Sequence, residues 1–349
     1  GNVPAPVLRK AGFKEKQFEN TSISGARITS LKKRLVRFYE DRGHPFAQVT
    51  LDSITLSENQ LSAKLNLEKN QEFVIDSIIV KGNARIKPKY LQNYLGIRPK
   101  SRYNESRIKP ISTRVKEIAF VSEAKPPEVL FRDGKADVYM YLDKKRASQF
   151  DGILGVLPSN EEPGKVLVTG ELSLKLLSAF KRGELISLKW QSLQPRTQNL
   201  NVQLTYPFLF NTGLGLDGTF ELYKRDTLFL NLRGIIGVQY HLVGNDHIKV
   251  FADIRNTNVL ASTTLSSTTT DNPDNVDSRL QLYGFGYNMQ RLDYRLNPRK
   301  GFEIYAEASA GAKKIIVDET IEPDRYEGLK LNSFQLNAVL KGAYYVPIP

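Results

Sequence analysis

The feature that most constrains the fold of this chain is a two-residue hydrophobic period that begins near residue 147 and persists to about residue 345. Successive side chains of a β-strand point to opposite faces, so this period predicts strands with one apolar and one polar face. We count ten such segments. They lie near 150–157, 166–176, 186–190, 200–206, 214–222, 228–240, 248–254, 280–284, 302–308 and 334–340.

Alternation alone does not separate a soluble β-sandwich from a membrane barrel, so segment length and connections must decide. The segments run to about 9–13 residues, whereas soluble strands average about 5–6 and a tilted strand needs about 9–11 to cross a bilayer. Membrane barrels also alternate short turns with long loops. The compact connections lie near 179–183, 209–213, 242–246 and 293–301, and the long ones at 158–164, 256–278 and 314–330. Two connections of the second set, near 195 and 225, are short, but the pattern favours an antiparallel transmembrane β-barrel.

Composition narrows the function classes. The 349 residues contain no cysteine, which excludes a disulfide scaffold and a cysteine metal site. The formal charge of +13 could suggest nucleic acid, but lysine and arginine are spread along the whole chain, so we do not expect it as a partner. No run of about 18 apolar residues occurs, so we expect no transmembrane helix.

Residues 1–146 follow different periods. No clear period marks 1–25, whereas 28–41 predicts a helix, and alternating runs at 46–56 and 61–69 predict a hairpin. Residues 73–80 then predict a strand that Gly82-Asn83 closes. Helices are predicted at 87–95 and 105–120, followed by strands at 128–132 and 136–142 around an Asp133-Gly134 turn. The order is βααββ, preceded by the second half of a similar unit.

This N-terminal part resembles the POTRA domain family. The residues that carry the resemblance are the Ile-x-x-x-Gly-Asn run from Ile78 to Asn83, with Gly82, and the segment RGHPFAQV at 42–49, with Gly43. We therefore divide the chain into a segment with a partial POTRA domain at 1–70, a POTRA domain at 71–146 and the first part of a barrel at 147–349. Any other small α+β domain is the alternative.

The C-terminal part resembles the surface-antigen barrel of BamA-type outer-membrane assembly factors. The similar pieces are Leu292-Asp293, the turn Asn297-Pro298-x-x-Gly301, a strand that ends Tyr345-Val346-Pro347-Ile348, and the segment QNLNVQLTYPF at 198–208. The family's Arg-Gly-Phe loop motif is not found. We therefore expect a partial barrel whose remaining strands are missing or belong to another chain.

The resemblance implies a location and partners. It implies a barrel in the outer membrane with its N-terminal domains in the periplasm. Unfolded outer-membrane proteins would be the substrates, accessory periplasmic or lipoprotein subunits and outer-membrane lipid the partners, and no cofactor or enzymatic activity is implied. Residues 293–301, with Asp293, Asn297, Pro298 and Gly301, would form a periplasmic turn. The first barrel strand would be a weakly held gate, and its residues are Phe150, Gly152, Ile153, Leu154, Gly155 and Val156.

Several alternatives stay open or are disfavoured. A passive outer-membrane pore or receptor that carries periplasmic domains is the alternative function, and the sequence does not separate general assembly from a TamA-like or two-partner secretion role. Gly213-x-Gly215-x-x-Gly218 matches a dinucleotide fingerprint, but strand periodicity runs through it, which favours strand glycines. His241 and His247 flank one turn without an evident third metal ligand.

Overall fold

The computed structural model describes residues 1–18, 21–22, 24–57, 60–158, 166–194, 196–226, 228–260, 276–293, 297–317, 326 and 328–347. The chain forms two compact units. The first comprises Gly1–Ala84, Leu95–Lys116 and Glu123–Asp143, and the second comprises Arg85–Tyr94, Glu117–Ser122 and Lys144–Pro349. The division at 70/71 and 146/147 stays a prediction. No helix in the described ranges is long and apolar enough to cross a membrane.

The first unit begins with two helices and a hairpin. Helix α1 is Ala5–Lys10, in the region where the sequence shows no period, and helix α2 is Gly25–Glu40. Helix α2 begins where the Ser24 side chain accepts a hydrogen bond from the backbone N–H of Arg27. It buries one face against the hairpin of strands β1, Gln48–Ser57, and β2, Gln60–Glu68. The buried core residues are Val3, Ala11, Leu31, Leu35, Tyr39, Ala47, Val49 and Leu67.

A three-stranded mixed sheet completes the N-terminal part. Its strands are β3, Val74–Lys81, β4, Val121–Arg132, and β5, Lys135–Lys144, in the order β3-β5-β4, with β3 parallel to β5. Three helices separate β3 from β4: α3, Pro88–Leu95, α4, Glu105–Ile108, and α5, Ile111–Lys116. Asp133 and Gly134 have φ values of +50° and +72°, as a two-residue hairpin turn requires.

Two predicted elements in this region have different bounds in the structure. The single helix expected at 105–120 is broken into α4 and α5 and ends at Lys116. Pro110 causes the break, because its ring clashes with the preceding turn and it has no N–H for the helical ladder. The strand expected at 128–132 is longer, because β4 starts at Val121 and runs through Pro126 and Pro127. Proline lowers strand propensity but is tolerated on the edge of a sheet, where β4 lies.

The second unit contains a ten-stranded sheet in which every strand pairs antiparallel with its neighbours in sequence. Each predicted strand is present. The bounds are β6 Gln149–Pro158, β7 Val166–Leu177, β8 Leu185–Ser192, β9 Gln198–Tyr206, β10 Leu214–Arg225, β11 Phe229–His241, β12 His247–Val259, β13 Ser278–Leu292, β14 Gly301–Ile315 and β15 Asn332–Tyr345. In the described part of the chain, β6 and β15 are the two edges.

The two faces of this sheet differ as the alternation predicts. One face is apolar and exposed, and its exposed side chains on the inner strands include Phe220, Ile236, Val238, Ile248, Val250, Tyr283 and Phe285. The other face is polar. On β13 the alternation places Leu280, Leu282 and Gly284 on the apolar face, and this prediction is wrong. Leu282 is buried opposite Asp253 on the polar face, whereas Phe285 lies opposite Val250 on the apolar one. Both faces of β13 carry large apolar side chains, so only the register with β12 could assign them.

Candidate functional site

Strand β6, at one edge of the ten-stranded sheet, carries all the residues predicted to form a gate. Its backbone pairs with β7, from Gln149 opposite Lys175 to Pro158 opposite Val166. No strand borders its other side within the described ranges. An edge strand presents a row of unpaired N–H and C=O groups that can pair with another chain. The residues on it are Phe150, Gly152, Ile153, Leu154, Gly155 and Val156.

The glycines of β6 allow β7 to approach closely. A Cβ at Gly152 would lie 2.6 Å from Leu172 Cδ2, and one at Gly155 would lie 3.0 Å from Thr169 Oγ1. On β7, Gly170 has a φ of +153°, and a Cβ there would lie 2.2 Å from the carbonyl oxygen of Ile153. Gly152 therefore makes room for a bulky neighbour, and it also contributes no side chain of its own to hold β6 in place.

An ion-pair network that sequence reasoning missed crosses the polar face on β10, β11 and β12. Arg233 donates from Nε to Asp253 Oδ1 at 3.0 Å and from Nη2 to Asp253 Oδ2 at 2.8 Å. Arg255 Nη2 donates to the same Oδ2 at 2.8 Å, and Glu221 accepts from Arg233 Nη1 at 3.3 Å. Asp253 is only 3% exposed, so these cations replace the water that its charge would otherwise require.

Strand register explains this network. Arg233 lies directly opposite Glu221 on one side and Arg255 on the other, and Asp253 lies two residues before Arg255. Directly opposite and diagonal neighbours on one face of a sheet interact. The acidic side chain therefore separates two arginines that would otherwise repel each other. A second ion pair on the same face joins β10 and β12, with Lys249 Nζ 2.7 Å from Asp217 Oδ2.

A second feature absent from the predictions is the packing of α3 against the turns at one side of the sheet. The backbone N–H of Lys87 donates to the carbonyl of Lys181 at 3.1 Å, and that of Gly244 donates to the carbonyl of Tyr94 at 2.8 Å. The Tyr94 hydroxyl donates to Glu117 Oε2 at 2.8 Å. We call α3 with the β7–β8 and β11–β12 turns the turn-side rim.

Tyr90 lies at the centre of the turn-side rim. Its ring is 5.4 Å from that of Phe208 in an edge-to-face arrangement and 5.7 Å from that of Tyr94 in a stacked one. Gly183, in the β7–β8 turn, has a φ of +77°, and a Cβ there would lie 2.1 Å from Tyr90 Cε2. Next to it, the buried Glu184 carboxylate accepts backbone hydrogen bonds from Phe180 and Arg182 of the same turn. The turn is therefore held by hydrogen bonds of its own as well as by the packing of Tyr90.

The residues predicted to form a periplasmic turn lie between β13 and β14. Asp293 Oδ1 accepts from the backbone N–H groups of Arg299 and Lys300 at 3.0 and 3.1 Å. Gly301 has a φ of +122°, and a Cβ there would lie 1.9 Å from the carbonyl oxygen of Arg291, so only glycine fits. Asn297 and Pro298 are in the same connection, and 294–296 fall outside the described residues.

We expect Asp293→Ala to lower the free energy of unfolding by about 0.5–1.5 kcal/mol, because two backbone donors lose their acceptor at an exposed site where water replaces it in part. Asp293→Asn keeps an acceptor oxygen at the same position and should cost less than half as much. Urea titrations of the three proteins in one detergent measure both values. Equal losses for the two variants would show that the carboxylate, rather than its acceptor geometry, matters.

The predicted POTRA features lie at close backbone contacts in the first unit. Gly43 has a φ of +98°, and its carbonyl accepts from the N–H of Phe73 at 2.7 Å. Gly82 has a φ of +99°, and a Cβ there would lie 2.4 Å from the carbonyl oxygen of Leu142. The N–H of Asn83 donates to Asp143 Oδ1 at 3.2 Å. Both glycines therefore occupy positions that a larger residue would strain.

A joint between the hairpin of β1 and β2 and the three-stranded sheet surrounds Gly43. Asp41, at the end of α2, accepts from the Ser106 backbone N–H and hydroxyl, each at 2.8 Å, and so holds the start of α4. Phe46 packs on Phe131 of β4 with ring centroids 4.9 Å apart. Nearby, burial and then the hydrogen bond to Glu105 raise the pKa of Tyr103, which keeps its hydroxyl a donor.

The structure also shows the glycine motif and the histidine pair that the sequence disfavours as ligand sites. Gly215 and Gly218 lie inside β10, so a strand and not a helix follows Gly213, and a dinucleotide loop is excluded. The rings of His241 and His247 are 5.6 Å apart at the rim, with Phe208 4.9 Å from His241. The described residues include no group of three or more histidine, cysteine, aspartate or glutamate side chains that could hold a metal ion.

The comparisons with solved structures place this architecture among known folds. BamA from Haemophilus ducreyi lacking POTRA domains 1-3 matches with a TM-score of 0.50 at 12% identity, over 99% of this chain and 70% of that one. The chain has the fold of that BamA. CdiB from Acinetobacter baumannii gives a TM-score of 0.49 at 10% identity, over 90% of this chain and 62% of that one. CdiB from Escherichia coli gives 0.48 at 13% identity, over 97% of this chain and 62% of that one.

The likeness is one of structure, at low sequence identity. No family model matches the chain, and no curated protein matches it. The BamA fold nevertheless covers both the N-terminal elements and the ten-stranded sheet, because the matched part includes 99% of this chain.

Proposed function

We propose that this chain belongs to an outer-membrane barrel protein that inserts or translocates other outer-membrane proteins. The fold of a BamA supports the proposal. The ten-stranded sheet also supports it, because an exposed apolar face that extends over many strands is typical of contact with lipid or protein. The polar face, with its paired charges, would line the interior. The observation that carries the insertase function is the unpaired edge of β6. This strand has both backbone groups without a neighbouring strand and exposed apolar side chains.

We also propose that residues 1–146 form POTRA domains in the periplasm. The βααββ order is supported by the elements from β3 to β5, apart from the broken second helix. In this proposal the domains bind unfolded outer-membrane proteins by β-augmentation, in which an extended segment adds to a free sheet edge through main-chain hydrogen bonds. Accessory periplasmic or lipoprotein subunits and outer-membrane lipid would be the other partners.

The same proposal gives β6 the role of a gate. Its two glycines contribute no side chains to packing, so separating β6 from a strand at its free edge would cost less than separating strands with larger side chains. The exposed groups would then template an incoming strand. A passive pore or receptor remains the second function, favoured by the charged interior face, and it needs no opening at β6.

A folding assay tests the insertase function. We expect liposomes that contain the full protein to accelerate the folding of a urea-denatured outer-membrane barrel protein at least tenfold over empty liposomes. Folding would be followed by the shift of the folded substrate on unheated gels. A channel conductance without any acceleration of folding would favour the pore.

Photo-crosslinking tests the role of β6. A photoreactive residue at Leu154, which is 63% exposed, should capture the substrate during folding. The matched control is Ile236, which is 60% exposed on the same apolar face but lies on β11, a strand paired on both sides. Equal capture at the two positions would show that any apolar surface suffices and that β6 is not the gate.

The side of the membrane on which the turns lie can be tested separately. A cysteine at Arg299 should not react with an impermeant reagent added to intact cells, because 293–301 would face the periplasm. Labelling from outside would reverse the proposed orientation of every strand.

A further inference from the structure

The two small sheets of the first unit differ in how far their edges are open to another strand. The hairpin has a free edge at β1, and the three-stranded sheet has edges at β3 and β4. Whether an edge accepts a strand depends on which N–H and C=O groups point away from the sheet and whether they are already bonded.

The hydrogen bonds on the outer side of β2 show which backbone groups of β1 point away from β2. Asn2 bonds the outer edge of β2: its N–H donates to the carbonyl of Leu65, and its side chain bonds the N–H and C=O of Leu67. The backbone groups of Leu65 and Leu67 therefore point away from β1. In an antiparallel pair, the residues opposite such positions also point away. Those residues are Val49 and Leu51, so two donors and two acceptors of β1 point away from β2.

The open edge of β1 is short and regular. Gln48–Asp52 pairs without interruption with 64–68, and the register shifts between Asp52 and Thr55, where Ser53 has a φ of +50°. Side chains at Thr50 and Asp52 are exposed, so they do not obstruct an approaching strand. The segment has room for about five residues of an added strand, since the ladder repeats every two residues.

Strand β4 differs because Pro126 and Pro127 interrupt it. The N–H groups of successive strand residues point alternately toward and away from the neighbouring strand, so adjacent prolines remove a donor on the outer edge as well as on the inner one. Charged and polar side chains flank the two prolines. Lys125 Nζ lies 2.7 Å from Glu128 Oε1, and the Tyr141 hydroxyl donates to Glu128 Oε2 at 2.6 Å. Desolvating these groups would oppose strand addition.

The start of β3 is already occupied. The N–H of Ile75 donates to the carbonyl of Ser101 at 2.8 Å, and its carbonyl accepts from the N–H of Lys100 at 2.7 Å. The carbonyl of Phe73 accepts from the N–H of Tyr103 at 2.9 Å. The segment 100–103 therefore covers this end of the edge.

We propose that Gln48–Asp52 of β1 is a strand-acceptor edge of the first unit and that Pro126-Pro127 closes the β4 edge to strand addition. The proposal rests on the proposed binding of unfolded outer-membrane proteins, and it assigns that binding to one of the two domains. The prolines act as a selectivity element, because they direct an extended segment to the hairpin and also protect β4 from pairing with a second copy of the chain.

Photo-crosslinking from both edges tests this assignment in the full chain. The photoreactive residue is placed at Thr50 on β1 or at Leu130 on β4, both exposed, and the probe is a urea-denatured outer-membrane barrel protein diluted into buffer. We expect at least tenfold more capture at Thr50 than at Leu130. The double variant P126T/P127T, which restores both donors, should raise capture at Leu130 at least fivefold.

A proline at Leu51 provides the reverse test. Its missing N–H is one that points to solvent, so the β1–β2 ladder stays intact while the acceptor edge loses a donor. Leu51→Pro should lower capture at Thr50 at least fivefold, and Leu51→Ala, which shortens the side chain but keeps the N–H, should retain most of it. Circular dichroism checks that both variants are folded.

The outcomes separate the two levels of the proposal. Equal capture at Thr50 and Leu130 in the unmodified chain, or equal loss for the two Leu51 variants, would overturn the assignment while strand binding itself stands. Capture at neither position, with P126T/P127T included, would overturn the proposed binding function as well.

Discussion

Replacing Asp253 with alanine is expected to lower the free energy of unfolding by about 2–3 kcal/mol, which would be a large loss for a single side chain. The carboxylate is almost fully buried and accepts hydrogen bonds from two arginines. Without it, Arg233 and Arg255 face each other directly across the strands with no anion between them. The loss stays below the cost of about 3–5 kcal/mol for breaking a fully buried pair, because the two arginines are 33% and 40% exposed and water can solvate them.

The matched control is Glu221→Gln at the outer end of the same network. Glu221 is 38% exposed and meets Arg233 at 3.3 Å, so its replacement should cost less than about 1 kcal/mol. Urea titration in detergent, followed by the fluorescence of Trp190, the single tryptophan, measures both variants. If both cost the same, burial of Asp253 has no energetic consequence. A double variant with Arg233→Ala should recover part of the loss, because it removes one unpaired charge.

The sheet was predictable from sequence because its apolar and polar residues repeat with the period of a strand over segments too long for ordinary loops. All ten strands were found in this way. The exception on β13 is instructive, since Leu280 and Leu282 alternate with Tyr283 and Phe285. When both faces of a strand carry apolar residues, the sequence still predicts the strand but does not show which set of residues lies on the apolar face of the sheet. Only pairing with β12 shows which set is buried.

The N-terminal elements show the complementary difficulty. Pro110 lies within a run of helical apolar spacing, and the spacing persists across the break between α4 and α5. Pro126 and Pro127 lie inside a strand that propensity alone would end. In both places a local residue preference and the wider pattern conflict. Proline breaks the ladder inside a helix, whereas an edge strand of a sheet tolerates it.

The contacts that shape the candidate site depended on register and docking, which a single sequence does not contain. A polar face of the sheet was expected, but the pairing of Asp253 with Arg233 requires knowing which residues lie opposite across β11 and β12. The rim had a weaker signal. Tyr90 and Tyr94, four residues apart, lie on one helical face, and Gly183 lies in a turn, but nothing in the sequence connects them.

Gly183→Ala should destabilise the turn-side rim by about 3 kcal/mol. A non-glycine residue at its φ of +77° costs about 1–2 kcal/mol. The added methyl would also lie 2.1 Å from Tyr90 Cε2, and moving a packed ring costs about 1–3 kcal/mol more. That ring contacts Phe120 and Phe208, so its displacement loosens the packing of α3 on the turns.

Hydrogen exchange can localise this effect to the rim. The Gly244 amide donates to the carbonyl of Tyr94, and the Lys87 amide donates to that of Lys181, so both are protected only while α3 stays in place. A loss of about 3 kcal/mol corresponds to exchange faster by a factor of roughly 100 at these amides, since each 1.4 kcal/mol is tenfold. Amides in the middle of β11 should exchange as before.

Gly328→Ala is the control that separates the effect of backbone strain from the effect of the Tyr90 contact. Gly328 has a φ of +80°, nearly that of Gly183, but a Cβ there would meet none of the described residues within 4 Å. It should therefore show only the conformational cost of about 1–2 kcal/mol. Tyr90→Leu in the Gly183→Ala background should restore part of the difference, because a smaller side chain leaves space for the methyl. If the two glycine variants lose the same stability, Tyr90 does not press on this turn in solution, and α3 is held to the rim by its backbone hydrogen bonds alone.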